Sequence, residues 1–268
     1  GQSRDITVMT RATKMINLAL FSLCSTQDEF SVTLLIPGNQ VQKLAGILSP
    51  KNMSVRIFET EPYDDSLCWV TYRMKALLEY FEANEGSKNL VVVESDQLFF
   101  RNMQSLTRLC RKADIGFTFT NEVHLHSSKA CMNLGIVYIR EVKLAIVSMF
   151  GDVLKSLELM IEKSGCRGGM DQNAFCEVIA GYIPSKEIKL TKRGVKIFSI
   201  PRDTYNPKRI SCSSKGALKH AYLSHFVGGR KELMLKESCI SEYKRNNHKL
   251  GCTTSISIMS DVPSSLRK

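Results

Sequence analysis

The sequence predicts an α/β protein with a mixed, mostly parallel central sheet flanked by helices. Three observations predict it. Short strand-forming runs alternate with stretches of helical periodicity along the chain. One run, 89–93 (NLVVV), is continuously apolar, as a strand buried on both faces requires. Acidic residues follow that run directly, at the carboxyl end where open α/β sheets bind ligands.

The elements follow in order. Residues 6–9 read as a short buried strand, and 14–24 carries apolar side chains at 15, 16, 18, 19 and 23, one face of a helix. Residues 31–36 (SVTLLI) form a second strand, ended by Pro37-Gly38. A short helix over 41–48 leads to a third strand, 55–58. Residues 67–83 are a long amphipathic helix stopped near Asn84-Glu85-Gly86, which delivers the chain to NLVVV. Strands are then predicted at 115–119, 134–139 and 195–200, the last closed by Pro201, with helices over 142–163 and from 171 to 179. No internal repeat or low-complexity block interrupts this order.

The chain has 268 residues, 43% hydrophobic and 24% charged, which excludes a wholly disordered, collagen-like or disulfide-dense small protein. No apolar run reaches the roughly eighteen residues needed to cross a bilayer. The N-terminus lacks the order of a secretory signal, and Gly1 in place of Met suits a trimmed chain. Nine scattered cysteines show no metal-ligand spacing and read as buried thiols. One sequon, Asn52-Met53-Ser54, points weakly to a secretory lumen, so the compartment reads as Golgi lumen with an anchor removed, or cytoplasm.

Net charge is +11 and is unevenly spread. Residues 186–268 hold 18 Lys/Arg against 6 Asp/Glu, whereas 1–185 hold 19 against 20. Such a basic third suits nucleic acid, an anionic membrane surface or a phosphorylated ligand. No nucleic-acid-binding motif is visible, and aromatics do not interleave with the cations, so nucleic acid is not expected as a partner.

Four stretches carry candidate chemistry. Glu94-Ser95-Asp96 follows NLVVV and offers oxygen ligands to Mg²⁺ or Mn²⁺. Glu59-Thr60-Glu61 has the same spacing, but lacks a wholly apolar strand before it and Leu98-Phe99-Phe100 after it. His225-Phe226-Val227-Gly228-Gly229-Arg230-Lys231 combines an imidazole, glycines that admit phosphate to backbone N–H groups, and neutralising cations. Residues 132–140 (MNLGIVYIR) read as a core strand led by Asn133, and in 168–175 (GGMDQNAF) Asp171 suits a helix N-cap. His124 and His126 read as a polar loop, and Trp69, the only Trp, as packing.

In their order and intervals these stretches resemble the nucleotide-sugar glycosyltransferases of GT-A fold, especially the glycogenin-like family 8 enzymes, over about residues 5–231. The resemblance implies a Rossmann-like GT-A catalytic domain over 1–231 and a basic Ser/Lys-rich extension over 232–268. It implies a transferase using Mn²⁺ or Mg²⁺ to move a sugar, with retention, from a UDP-sugar to a glycan, protein or lipid hydroxyl. Glu94, Asp96 and His225 would hold the metal. Thr10 and Arg11 would lie by the base, and Arg73, Lys75, Ser95, Gly228, Arg230 and Lys231 by the diphosphate or base. Asn133, Asp171 and Gln172 would face the donor sugar and acceptor as candidate catalytic residues. Glu94 departs from the usual Asp by one methylene, which also admits a catalytically inactive, transferase-like protein. The surplus cations of the basic third admit an anionic-surface or nucleic-acid-binding module instead. A nucleotidyltransferase fits less well, because 10–14 (TRATK) contains no Gly.

Overall fold

The computed structural model describes residues 13–207 apart from 14, 25, 28–29, 45–52, 120–130, 182 and 184–185, together with 221–226 and 231–234. The expected strand at 6–9 and the loop histidines therefore lie outside the described residues. A first helix, α1, covers 15–24. β1 (Phe30–Pro37) pairs in parallel with β2 (Met53–Thr60), and between them the chain makes a 3₁₀ helix over Gly38–Leu44, overlapping the short helix expected at 41–48, of which 45–48 lie outside the described residues. α2 (Trp69–Ala83) leads to β3 (Lys88–Val93), β4 (Gln97–Phe99) and α3 (Gln104–Leu109). β5 (Ile115–Phe119), β6 (Met132–Glu141), α4 (Leu144–Ser164) and α5 (Met170–Val178) follow. The described chain ends with β7 (Ile188–Leu190), β8 (Lys196–Ile200), α6 (Arg202–Tyr205), β9 (Leu223–His225) and α7 (Lys231–Met234).

The central sheet has the order β3-β6-β5-β8-β7. It is mixed: β3, β5 and β8 run one way and β6 and β7 the other, so β5–β8 is its parallel neighbour pair. β5 and β6 are buried along almost their whole length, because helices cover both faces. On one face, Phe81 of α2, Phe150 of α4, Phe175 of α5 and Phe117 of β5 make a chain of ring contacts at 4.9, 5.0 and 5.3 Å. On the other, Ile136 and Tyr138 of β6 pack with Phe99, Leu106, Phe198 and Tyr205.

β3 differs from expectation in one respect. Its apolar run does pack on both faces, Leu90 and Val92 against one core and Val91 and Val93 against the other. Among the described residues it has a strand on one side only, so these side chains are half-buried. Met234, three residues past the expected boundary at 231, is fully buried against Met15, Ala19, Leu98 and Phe226. Among the described residues no helix is long and apolar enough to cross a membrane.

The cysteine reading needs correction. Cys68 is bridged to Cys166 and Cys131 to Cys176. Scattered spacing hid these pairs because each joins elements brought together only by the tertiary fold. The first ties the start of α2 to the loop before α5, and the second ties the head of β6 to α5 itself. Cys110 remains a buried thiol, its pKa pushed up to about 12 by burial. Loop-closure entropy over a separation of 45 residues makes the Cys131–Cys176 bridge worth about 4 kcal/mol. Cys131→Ala/Cys176→Ala is expected to lose stability of that order in urea unfolding, and an unchanged midpoint would contradict the pairing.

Candidate metal centre

The site begins where β3 ends. Glu94, Ser95 and Asp96 form the turn from β3 into β4, with Ser95 exposed and Asp96 buried. β4 pairs antiparallel with β9, in the register Gln97↔His225 and Phe99↔Leu223, and Phe226 N–H donates to the Asp96 carbonyl at 2.9 Å. This three-residue ribbon carries His225 across more than a hundred residues of sequence to the acidic turn. His225 Nε2 lies 2.7 Å from Glu94 Oε2 and 3.3 Å from Asp96 Oδ1.

Charges alternate outward from there. Lys231 Nζ sits 3.2 Å from Asp96 Oδ2. On the other side the Arg73 guanidinium bridges two carboxylates, Glu94 through Nη1 and Asp171 through Nη2. Asp171 is fully buried. It lies in the first turn of α5 rather than at its N-cap, which is Gly169 with φ 84°, a left-handed conformation suited to glycine. The helix N-terminus favours the carboxylate there, and Asp171 Oδ1 accepts from Gln172 N–H at 2.9 Å.

Three ligand atoms, one each from Glu94, Asp96 and His225, lie within 4.8 Å of one another. Asp96 Oδ1 and His225 Nε2 are buried with no hydrogen-bond partner, although the ion-pair distances are short. Two carboxylates and one imidazole this close together, with unpartnered atoms on Asp96 and His225, fit a divalent cation of the Mn²⁺ or Mg²⁺ class. The competing triplet assembles nothing: Glu59 and Glu61 are exposed, while Thr60 is taken up by Tyr72 and the Ile36 carbonyl.

The remaining expected residues divide. Lys75 turns to Glu158 on α4 at 3.6 Å and is not brought to the cluster, because two residues along a helix reverse the side-chain direction from Arg73. Asn133 is buried, and its Oδ1 accepts from Gly135 N–H at 2.9 Å and Asn206 Nδ2 at 2.6 Å, so that atom serves the fold. Gln172 is half-buried beside Asp171. Thr10, Arg11, Gly228 and Arg230 lie outside the described residues. Trp69, expected as packing, is 50% exposed, with the Arg73 guanidinium 5.7 Å from its ring centroid. A cavity of about 330 Å³ lined by Arg56, Tyr80 and Lys88 lies elsewhere, and none of the cluster lines it.

No family model and no curated protein matches the sequence. Solved structures do. The galactosyltransferase LgtC in complex with donor and acceptor sugar analogs superposes with a TM-score of 0.53 at 13% identity, over 92% of this chain and 94% of that one. The glycosyltransferase GlyE of Streptococcus pneumoniae TIGR4 gives 0.51 at 14% identity, over 92% of this chain but 64% of its own. The chain has the fold of these GT-A glycosyltransferases. It spans less than two thirds of the GlyE chain and nearly all of the LgtC chain.

Within that GT-A framework, two further residues matter: Gly135 of the 132–140 stretch, and Asn206, which motif spacing did not single out. Gly135 lies against the His225 ring: a Cβ there would come within 2.5 Å of Cε1 and 2.8 Å of Asn133 Oδ1. Asn206, one residue beyond α6, accepts from His225 Nδ1 at 3.1 Å. Its signal was its place just after a strand and a single helical turn, at the carboxyl end of β8, where site residues collect.

Burial alone would lower the His225 pKa, but Asp96 and Glu94 outweigh it and raise it to about 9. Burial pushes Glu94 up as well, yet His225 and Arg73 hold its carboxyl below the ordinary range. A raised imidazole pKa stabilises the fold fully below its unfolded value near 6.5, and that contribution disappears as pH rises through 9. In chelator, thermal unfolding of the wild type is expected to fall toward His225→Gln between pH 7 and 10; parallel curves would contradict the coupling. Gly135→Ala is expected to fold by circular dichroism while the NMR titration of His225 moves back toward 6.5, as the ring is driven off the carboxylates.

Proposed function

We propose that this chain is a metal-dependent glycosyltransferase that moves a sugar from a nucleotide-diphosphate sugar, a UDP-sugar, to a hydroxyl of a glycan, protein or lipid, with retention. One observation carries the reading: a cluster of half-buried Glu94 with buried Asp96 and His225 at the carboxyl tip of β3, on a GT-A fold. LgtC, crystallised with donor and acceptor sugar analogs, supports a nucleotide-sugar reaction on this framework.

Glu94, Asp96 and His225 would hold Mn²⁺ or Mg²⁺, which when bound supplies positive charge beside the departing diphosphate. Lys231, anchored on Asp96, adds a second positive charge on the same side, where negative charge grows as the glycosyl bond breaks. By the family resemblance Ser95, Gly228 and Arg230 would contact the diphosphate, and Thr10 and Arg11 the base. Asp171 is paired with Arg73, and this buried carboxylate would face the positive charge that develops at the anomeric carbon. Gln172 is its neighbour on the sugar side, and Asn133 acts from behind His225. Two disulfides favour an oxidising compartment, such as a Golgi lumen, over cytoplasm. The basic third is assigned to the diphosphate and to an anionic acceptor or membrane surface.

A thermal-shift panel of nucleotide sugars with and without Mn²⁺ identifies the donor, because binding to the native state raises apparent stability. With that donor, Asp96→Ala and His225→Ala are expected to abolish transfer without unfolding, and Lys231→Ala to lower kcat by about 10²-fold. Full turnover in Asp96→Ala, or equal activity in chelator, would sink the reading. Proton NMR of the first-formed product gives its anomeric configuration, and an inverted product would remove retention.

A further inference from the structure

Behind His225, on the side away from the carboxylates, lies a buried layer of polar side chains whose hydrogen bonds leave one solution. Gly135 N–H can only donate, and it donates to Asn133 Oδ1 at 2.9 Å. That fixes which end of the Asn133 amide faces Asn206. An acceptor at 2.6 Å demands a donor, so the near atom of Asn206 is Nδ2. Thr118 agrees: its hydroxyl donates to the Asn133 carbonyl at 3.0 Å and accepts the second Nδ2 proton at 3.1 Å. With both protons of Nδ2 committed, Asn206 Oδ1 faces His225 Nδ1 at 3.1 Å and can only accept. Asn206 and Thr118 are almost wholly inaccessible to solvent, so water offers no alternative partner.

We infer that Asn206 is a positioning residue that keeps the proton of neutral His225 on Nδ1 and so presents Nε2, lone pair outward, to a cation shared with Glu94 and Asp96. The inference rests on the proposed metal-dependent reading for the cation: without it Glu94 Oε2 at 2.7 Å and Asp96 Oδ1 at 3.3 Å keep a proton on Nε2, whereas the acceptor Asn206 Oδ1 holds one on Nδ1 in either state. Free neutral histidine prefers the opposite tautomer, with the proton on Nε2, which would cover the ligand atom. Fixing the far nitrogen by an outer hydrogen bond is how metal-bound imidazoles are oriented in general. Here the orientation traces back to a backbone N–H, which cannot reverse. Gly135 thus has two tasks: room for the ring, and the donor at the root of the chain.

The test has two readouts. In ¹⁵N-histidine-labelled wild type titrated with Mg²⁺, the ring is expected to keep Nδ1 protonated while Nε2 loses its proton to the cation, with assignment by His225→Gln. A predominant Nε2–H form overturns the inference, and needs no variant. Mn²⁺ titrated alone and followed by electron paramagnetic resonance is expected to bind Asn206→Leu some 10–100-fold more weakly than wild type. Asn133→Asp, which keeps the acceptor that orients Asn206, is expected to retain the wild-type tautomer. Wild-type Mn²⁺ affinity in a folded Asn206→Leu overturns the positioning role. Absence of Mn²⁺ binding in the wild type, with Nδ1 still protonated in chelator, removes the metal reading and leaves the hydrogen-bond assignment standing.

Discussion

Six ionisable groups stand in one alternating row: Lys231, Asp96, His225, Glu94, Arg73 and Asp171. Asp96, Asp171 and His225 are almost wholly buried, and no carboxylate would stay ionised there alone. Each is tolerated because an opposite charge touches it on one or both sides. With His225 protonated the row is neutral. Replacing that proton by a divalent cation makes it +1, which is the sign a diphosphate requires. The row is therefore a structural solution without ligand and an anion site with one, and the exchange takes place at a single atom, His225 Nε2.

The scaffold explains why the row holds. Its members come from five places: the turn between β3 and β4, α2, α5, β9 and α7. Local propensity cannot register such dispersed elements to within hydrogen-bond distance. Two disulfides hold α5 to α2 and to β6, which fixes Asp171 against Arg73. The β4–β9 ribbon fixes His225 against Asp96, and Gly135 leaves the space into which the imidazole fits. Preorganisation of this kind lets fixed charges act on a leaving group without reorganising at the moment of reaction.

Most of the fold was legible because hydrophobic periodicity survives in one dimension. α2, α4, β5 and β8 fall within a few residues of where alternation and 3.6-residue spacing put them. The acidic turn was legible for the same reason, since a wholly apolar run points to its own carboxyl tip. What escaped depends on contacts between distant segments. β4 and β9 are three residues long and carry no periodicity. The disulfides join partners 98 and 45 residues apart. Lys75 looked equivalent to Arg73 until the helix phase sent it to Glu158. Asn206 belongs to no charged or glycine-rich pattern, and its importance appears only when each donor in the buried layer is assigned an acceptor.

Anomalous diffraction at the manganese edge, from crystals grown with Mn²⁺ and UDP, tests the central claim most directly. A metal held by Glu94, Asp96 and His225 Nε2 gives one strong peak within coordination distance of all three, with the diphosphate on its open side and Lys231 beside it. A bound nucleotide with no peak there, or with His225 Nε2 turned away from the metal, would contradict it.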